Sequence, residues 1–208
     1  KKDIGLPSDS FVFCCFNNYF KINPIVFSSW MTILSKVNDS ILWLPEGNKI
    51  AMNNLKREAE KHGIDKKRLF FAPRLNLKED HLKRIQLADL FIDTFPFNAH
   101  TTCSDALRVG LPVLTYKGDS YTSRVASSLI ASVNLPEMIT TSQKDYESTA
   151  IELAEDSAKL NNIRAKLAKN KLTSSLYKPQ LFTKHIEAIY LDIYNTSQKK
   201  IDFDHIYL

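Results

Sequence analysis

The sequence predicts an α/β protein built on a doubly wound, Rossmann-like parallel sheet. Short runs of apolar residues recur between residues 11 and 116, and each run is apolar almost throughout, as strands buried on both faces tend to be. Amphipathic segments with helical spacing separate these runs. Strands that alternate with helices are typical of a parallel sheet covered by helices, so the fold class is predicted before any motif is considered.

The strands are predicted from composition and length. Aromatic and branched aliphatic side chains dominate each run, and each run is short enough to be a single strand. The segments are FVFCCF at 11–16, ILWLPE at 41–46, RLFFAP at 68–73, DLFIDT at 89–94 and LPVLTY at 111–116.

The helices are predicted from spacing and from signals at their ends. In segment 24–37 the apolar side chains recur at helical spacing, and Pro24 suits a first helical turn. Asn76 and Glu79 have the spacing of a capping box and predict a helix that begins near Asn76. The other helical segments are 51–62, 101–109, 121–132, 143–169 and 179–195, and the last residues, KKIDFDHIYL, have no predicted structure.

Composition limits the functions that fit. With 208 residues and 44% apolar side chains, the chain can form a sizeable core. The formal charge of +5 is modest and basic residues are mixed with acidic ones, so anionic small ligands fit and a general nucleic-acid binder is not indicated. Cys14, Cys15 and Cys103 form no CxxC pair, which argues against a disulfide framework or a zinc site.

The sequence shows neither a membrane span nor a signal peptide. No run approaches the roughly 18 apolar residues of a membrane span. The start, KKDIGLPSDS, has basic residues but lacks the apolar stretch of a signal peptide. We therefore expect a cytoplasmic protein in a reducing compartment, without a membrane partner. The chain starts without Met, which is consistent with a piece of a longer protein.

Polar side chains follow three of the predicted strands at their carboxyl ends. In an open parallel sheet these ends meet at one edge, where loops lead into helix N-termini whose free N–H groups and dipole favour anions. We therefore expect the ligand at this edge. The polar residues there are Asn17, Asn18 and Lys21 after the first strand, Lys78, His81 and Arg84 after the third, and the segment FNAHTTCSD (97–105) after the fourth.

The segment FNAHTTCSD predicts a phosphate cradle. If a helix starts near Thr101, the N–H groups and hydroxyls of Thr101 and Thr102 point outward, and His100 adds a donor beside them. Asp105 lies a turn further on, where its carboxylate suits a ribose diol. An ordinary helix start also explains the pattern, because Thr102 and Asp105 have the spacing of a capping box, and the two interpretations are compatible.

Other patterns are weaker or absent. Lys21 lies in an Asn-rich turn where its charge can meet a diphosphate, although an isolated loop lysine is usually only solvated. Lys78 and His81 share a helix face, as an ordinary surface pair also does. No glycine-rich dinucleotide or P-loop motif, GxSxG elbow or HExxH pair occurs, which excludes NAD, FAD and Walker-type ATPase sites.

Three segments together resemble a known family: FNNYFKI (16–22), KEDHLKRIQLADLFIDTFPFNAHTTCSDAL (78–107) and SRVASSLI (123–130). They are similar to the carboxyl-terminal catalytic lobe of the O-GlcNAc transferases, their bacterial tetratricopeptide-repeat relatives and the plant Spindly-type O-fucosyltransferases. The resemblance covers nearly the whole chain, from about residue 11 to residue 195. It implies a glycosyltransferase of the B-type fold, in which two Rossmann-like lobes face one another and the second lobe, the one present here, holds the nucleotide-sugar donor.

The resemblance also divides the chain. It implies a linker from a missing first lobe at 1–10, a nucleotide-sugar-binding lobe at 11–178, and a C-terminal helix and tail at 179–208 that in two-lobed relatives often crosses to the first lobe. An apolar face of that helix is expected either as core in this lobe or as a contact with another lobe or another copy of the chain. Its residues are Phe182, Ile186, Ile189, Tyr190 and Ile193.

Roles for the polar residues follow from the resemblance. Lys21 matches the catalytic lysine that neutralises the donor diphosphate, and Asn18 stands where the O-GlcNAc transferases have a glutamine that touches the same region. Lys78 and Asp105 match residues at the ribose, and His81 matches the histidine that packs on uracil. The other matches are Arg84 near the base edge, Asn76, which reads uracil through its backbone, and His100, Thr101 and Thr102, which cradle the phosphates.

The resemblance implies UDP-GlcNAc as donor, protein Ser or Thr hydroxyls as acceptors, and no metal ion or other cofactor. Asn18 and the string DTFPF (93–97) are shared more with Spindly-like and bacterial members, some of which use another nucleotide sugar, such as GDP-fucose or a UDP-hexose. In this family much of the acceptor groove belongs to the first lobe and to the helical repeats before it. We therefore expect the chain alone to bind donor weakly and to transfer nothing.

Other functional classes stay open at this stage. A non-catalytic nucleotide-binding or regulatory module would keep the fold without the chemistry. A different B-type glycosyltransferase would act on lipids or small glycans. A basic nucleic-acid binder has the least support.

Overall fold

The computed structural model describes residue 1 and residues 4–199. At its centre is a sheet of six parallel strands in the order β3-β2-β1-β4-β5-β6. The predicted α/β fold with a doubly wound parallel sheet is confirmed, and the strand order is that of Rossmann folds. The strands are β1 (Phe11–Cys14), β2 (Ser40–Pro45), β3 (Leu69–Ala72), β4 (Leu90–Ile92), β5 (Val113–Tyr116) and β6 (Ile139–Thr140).

Helices connect each strand to the next, because parallel neighbours need a crossover connection. The first five helices lie between successive strands, and three more follow β6. They are α1 (Pro24–Lys36), α2 (Lys49–Lys61), α3 (Lys78–Ile85), α4 (Thr101–Arg108), α5 (Val125–Ser132), α6 (Gln143–Glu155), α7 (Ser157–Asn170) and α8 (Pro179–Gln198). Short 3-10 turns occur at Tyr19–Lys21, Lys66–Arg68, Tyr121–Ser123, Pro136–Met138 and Ser175–Tyr177.

The core lies between the sheet and the helices packed on it. The strand residues are buried on both faces, as their continuous apolar runs predict. Trp30 of α1 is fully buried, and its indole N–H donates to the hydroxyl of Tyr146 in α6 at 3.1 Å. The Tyr146 hydroxyl donates in turn to the carbonyl of Asp93 at 2.8 Å. These two helices are thereby tied to the carboxyl end of β4, where the ligand is expected.

Some elements differ from the sequence-based expectation. Segment 143–169 forms two helices, because Asp156 ends α6 in extended backbone and also caps α7, where its carboxylate accepts from the N–H of Lys159 at 2.9 Å. Segment 121–132 starts with a 3-10 turn, and α5 begins only at Val125. The sequence does not predict β6, since a strand of two residues is too short to show a pattern.

α3 begins at Lys78 rather than near Asn76. Its N-cap is Leu77, which is extended (φ −96°, ψ 134°) and makes no side-chain capping bond. Glu79 is therefore the second helical residue and Asn76 precedes the cap. The predicted capping box is wrong, because the loop after β3 stays extended one residue further than the box requires.

The two ends of the chain pack differently. Leu6 is buried, and the Lys1 ammonium lies 2.9 Å from the Asp89 carboxylate, so both of these residues lie against the lobe. α8 has no buried residue, and its apolar face is therefore not core in this lobe. In the part of the chain that the structure describes, no helix is both long and apolar enough to cross a membrane. The tail at 200–208 lies outside the described residues.

Candidate functional site

β1 and β4 mark the point where the strand order reverses. β1 pairs with β2 on one side and with β4 on the other. Ligands of such sheets bind outside the carboxyl ends of the two strands at this switch point. The segments that follow β1 and β4 are the two that contain Lys21 and His100, so the topology places the predicted phosphate-binding residues at the expected position.

The N-terminus of α4 presents unpaired backbone donors. α4 begins at Thr101, and its N-cap, His100, makes no side-chain capping bond. The first intrahelical bond starts at the N–H of Ser104, which donates to the His100 carbonyl at 3.1 Å. The three N–H groups before it have no hydrogen bond within the described residues, and with the helix dipole they favour an anion. The helix start near Thr101 is therefore confirmed, and the Thr102–Asp105 capping box is wrong because Thr102 lies inside the helix.

Lys21 lies beside this helix start. Its ammonium group donates to the carbonyl of Asn98 at 2.7 Å and sits 4.0 Å from the centroid of the Phe97 ring. The same ring lies 5.3 Å from the ring of His100, whose Nε2 is buried without a hydrogen-bond partner among the described residues. Burial lowers the pKa of Lys21, and the negative charge of Asp93 opposes that change. Phe97, to which the sequence assigns no role, thus brings the cation and the imidazole together.

Lys78 and Asp105 form an ion pair across the same edge. The Lys78 ammonium lies 3.2 Å from the Asp105 carboxylate. The Lys78 side chain is 59% exposed while that of Asp105 is 15% exposed, so the pair contributes little to stability and both groups remain near solvent. The geometry joins two residues predicted to meet at a ribose.

His81 and Arg84 form a second cluster on α3. Arg84 Nη2 lies 2.9 Å from His81 Nδ1, and the other guanidinium branch donates to the carbonyl of Pro73. Since arginine can only donate, Nδ1 accepts and the proton of neutral His81 lies on Nε2. Burial, and next the positive charge of Arg84, lower the pKa of His81, so the ring is neutral at pH 7. Phe16 packs edge-on against this ring at 5.3 Å.

Three predicted residues make few contacts. Asn18, Asn76 and Thr101 are exposed. The Asn18 side chain accepts from the N–H of Phe20 at 3.4 Å and so caps the 3-10 turn that holds Lys21. The contacts of these three residues do not indicate a ligand, so their roles stay predictions.

Asp93 is an organising residue to which the sequence assigns no role. It is fully buried directly after β4. Its carboxylate accepts from the N–H groups of Thr94 and Ala99, both at 2.7 Å, from the Asn17 amide at 3.1 Å and from the Thr115 hydroxyl at 2.7 Å. Burial raises the pKa of Asp93 to about 6, although these hydrogen bonds lower it. An acid at the end of a wholly apolar strand was the available signal.

Groups suited to metal binding or thiol chemistry are not gathered at this edge. Within residue 1 and residues 4–199, no three His, Cys, Asp or Glu side chains are grouped as metal ligands. Cys14, Cys15 and Cys103 are buried and free, and burial raises the pKa of each thiol. They are protonated core side chains.

Comparison with known sequences identifies relatives. Residues 1–186 match glycosyl transferase family 41. The chain is 33% identical over 201 residues to the UDP-N-acetylglucosamine–peptide N-acetylglucosaminyltransferase of Caenorhabditis elegans, and 33% identical over 196 residues to the probable UDP-N-acetylglucosamine–peptide N-acetylglucosaminyltransferase SEC of Arabidopsis thaliana. These matches cover 97% and 94% of the chain but only 17% and 20% of the relatives, so the chain spans about a fifth of their length.

Solved structures agree with the sequence comparison. A mutant O-GlcNAc transferase of Thermobaculum terrenum matches with a TM-score of 0.82 at 28% identity, over 89% of this chain and 38% of that chain. WaaG, a glycosyltransferase involved in lipopolysaccharide biosynthesis, shares the fold with a TM-score of 0.65 at 18% identity, over 85% and 46% of the two chains. The resemblance drawn from the residues is confirmed: the chain belongs to glycosyl transferase family 41.

Proposed function

We propose that this chain is the donor-binding lobe of a glycosyltransferase that moves GlcNAc from UDP-GlcNAc to Ser or Thr hydroxyls of proteins. The relatives in Caenorhabditis elegans and Arabidopsis thaliana are named as UDP-N-acetylglucosamine–peptide N-acetylglucosaminyltransferases, which supports this donor and a peptide acceptor. One observation supports the proposal most directly: the uncapped N-terminus of α4 lies at the switch point of the sheet beside the ammonium group of Lys21. Together they suit a diphosphate.

The proposed chemistry is stabilisation of the leaving group. When the acceptor hydroxyl attacks the anomeric carbon, its proton passes to a basic group that, in this proposal, the first lobe supplies. The bond from the anomeric carbon to the diphosphate breaks, and negative charge grows on the departing diphosphate. Backbone donors at the start of α4 and the Lys21 ammonium are already fixed, so they stabilise this growing charge more than they stabilise the bound substrate. Lys21 is the catalytic residue in this proposal, and Asn18 lies next to it in the same turn.

The nucleoside binds between α3 and α4 in this proposal. Lys78 and Asp105 hold the ribose hydroxyls, since a carboxylate accepts from a diol. The neutral ring of His81 packs on uracil, and Arg84 holds that ring through Nδ1. The backbone of Asn76 reads the base, while His100, Thr101 and Thr102 surround the phosphates. No metal ion or other cofactor takes part.

The rest of the enzyme supplies the acceptor side. Residues 1–10 link to a first lobe, residues 11–178 form the donor lobe, and 179–208 cross back to the first lobe. The exposed apolar side chains of α8 support this crossing, because Phe182, Tyr190, Leu191 and Tyr194 are each more than 60% exposed. The isolated chain binds donor weakly and transfers no sugar, and the intact protein acts in the cytoplasm with helical repeats before the first lobe.

Calorimetry of the intact protein with UDP, UDP-GlcNAc and GDP tests the proposal. We expect saturable binding of both uridine nucleotides and none of GDP. Lys21→Ala should weaken UDP binding, while Lys144→Ala, an exposed lysine on α6, should not. Binding of GDP instead would indicate another donor. Binding of UDP without sugar transfer by the intact protein would indicate a regulatory module, and an absence of nucleotide binding would refute the proposal.

A further inference from the structure

Asn17 connects the buried carboxylate of Asp93 to the start of α4. Asn17 is only 2% exposed. Its amide nitrogen donates to Asp93 Oδ1 at 3.1 Å and to the Thr94 hydroxyl at 2.7 Å. Its amide oxygen accepts the hydroxyl proton of Thr102, the second residue of α4. One side chain thus joins the segments that follow β1 and β4 at the switch point.

The neighbours of Asn17 fix which way its amide points. The Thr94 hydroxyl donates its proton to the carbonyl of Phe97 at 2.7 Å, so its oxygen can only accept from Asn17. Asp93 Oδ1 already accepts from two backbone N–H groups and is likewise an acceptor. A rotated amide would place its oxygen against two acceptors in a buried site, which is costly. The amide oxygen of Asn17 therefore faces Thr102.

With this orientation of Asn17, the Thr102 hydroxyl donates its proton within the protein. A hydroxyl has one proton to donate, and that of Thr102 goes to Asn17. The hydroxyl is therefore not a donor to a diphosphate at this helix start. Thr102 offers the ligand its backbone N–H, and the direction of that N–H depends on how the first turn of α4 is held.

We propose that Asn17 is a positioning residue: by accepting the Thr102 hydroxyl proton, it holds the first turn of α4 so that the free N–H groups face the donor diphosphate. This role rests on the proposed function, since it presumes a diphosphate at α4. It also changes the expected role of Thr102, whose hydroxyl acts inside the protein rather than on the ligand.

A double-mutant cycle in the intact protein tests this role. The variants are Thr102→Val, which keeps the shape and the N–H but removes the hydroxyl, Asn17→Ala, and the two together. Thr102→Ser restores a hydroxyl, and Thr32→Val is the matched control, because the exposed Thr32 hydroxyl bonds only within α1. UDP and uridine affinities are measured by calorimetry, and the melting temperature is measured without ligand.

A positioning role predicts four results. Thr102→Val weakens UDP binding about fivefold, the change expected when one backbone N–H of α4 loses its hydrogen bond to the diphosphate, and leaves uridine binding unchanged. It also lowers the ligand-free melting temperature, because the buried Asn17 oxygen loses its partner. Thr102→Ser recovers most of both losses. Adding Asn17→Ala to Thr102→Val weakens UDP binding no further.

Other outcomes overturn the role. Additive losses of UDP affinity, with an unchanged melting temperature in Thr102→Val, would mean that the hydroxyl contacts the diphosphate directly. A lower melting temperature with unchanged UDP affinity would mean that the link is only structural. The Val and Ser variants decide between these even if Asn17→Ala does not fold. If the unmodified protein binds no UDP, the proposed function fails together with this role, whereas UDP binding with an additive cycle refutes the role alone.

Discussion

The buried carboxylate of Asp93 should make stability depend on pH in an unusual direction. Most carboxylates in folded proteins have lowered pKa values and stabilise the protein as pH rises. Burial raises the pKa of Asp93 from 3.8 to about 6, so the folded protein binds this proton more tightly than the unfolded chain does. Raising the pH through this interval therefore removes stability.

The size of the effect follows from the shift. Each unit of pKa difference corresponds to ~1.36 kcal/mol, so a shift from 3.8 to about 6 contributes about 3 kcal/mol. This contribution is fully present below pH 4 and is lost above pH 6, by about these values. Asp93→Asn keeps the side-chain shape and does not titrate, so it should remove this part of the pH dependence.

Denaturant unfolding of both proteins at intervals from pH 3 to pH 7 provides the measurement. The free energy of unfolding of Asp93→Asn is subtracted from that of the unmodified protein at each pH, which cancels the titration of all other groups. The difference should fall by about 3 kcal/mol as the pH rises. A difference that stays constant, or that rises with pH, would show that Asp93 is not held at a raised pKa, and the buried network built on it would need another explanation.

Three further predictions concern Lys21, the contact between Gly47 and Tyr19, and the last helix. Lys21→Ala in the intact enzyme should lower turnover more than tenfold, which corresponds to a barrier higher by more than about 1.4 kcal/mol, whereas Lys144→Ala should leave turnover unchanged. Equal turnover in Lys21→Ala and the unmodified enzyme would refute the catalytic role. Gly47→Ala should lower the free energy of unfolding by about 1–3 kcal/mol, because the new Cβ would lie 2.8 Å from the Tyr19 ring. Adding Tyr19→Leu should restore part of the lost stability, and no recovery would mean that the clash lies elsewhere. The exposed apolar side chains of α8 should let the chain self-associate, which would appear as a concentration-dependent shift in sedimentation. Tyr190→Glu should abolish this shift, and a chain that is monomeric at all concentrations would contradict self-association through α8.

Local pattern was sufficient for the fold class and for the place of several candidate site residues in the fold. Continuous apolar runs such as 41–46 are buried in the sheet because such runs leave no polar face for solvent. The position of His100 and Thr101 at a helix start followed from the strand that ends before them, since a parallel strand is connected to the next by a crossover that is usually a helix. Helix ends were less predictable, as the late start of α3 and the break at Asp156 show. Each depends on one residue's backbone angles rather than on a repeating pattern.

By itself, the sequence determined the parallel α/β architecture and the residues that match the family, and it predicted the edge at which a ligand is expected, because periodicity, strand ends and motif residues are local properties of the chain. Only the tertiary structure decided that Asp93 is a buried acceptor of four hydrogen bonds, that Asn17 joins it to Thr102, and that Phe97 lies between Lys21 and His100. These contacts join residues that are far apart in sequence. Their distances, and the burial that shifts the pKa of Asp93, arise only when β1 and β4 lie side by side.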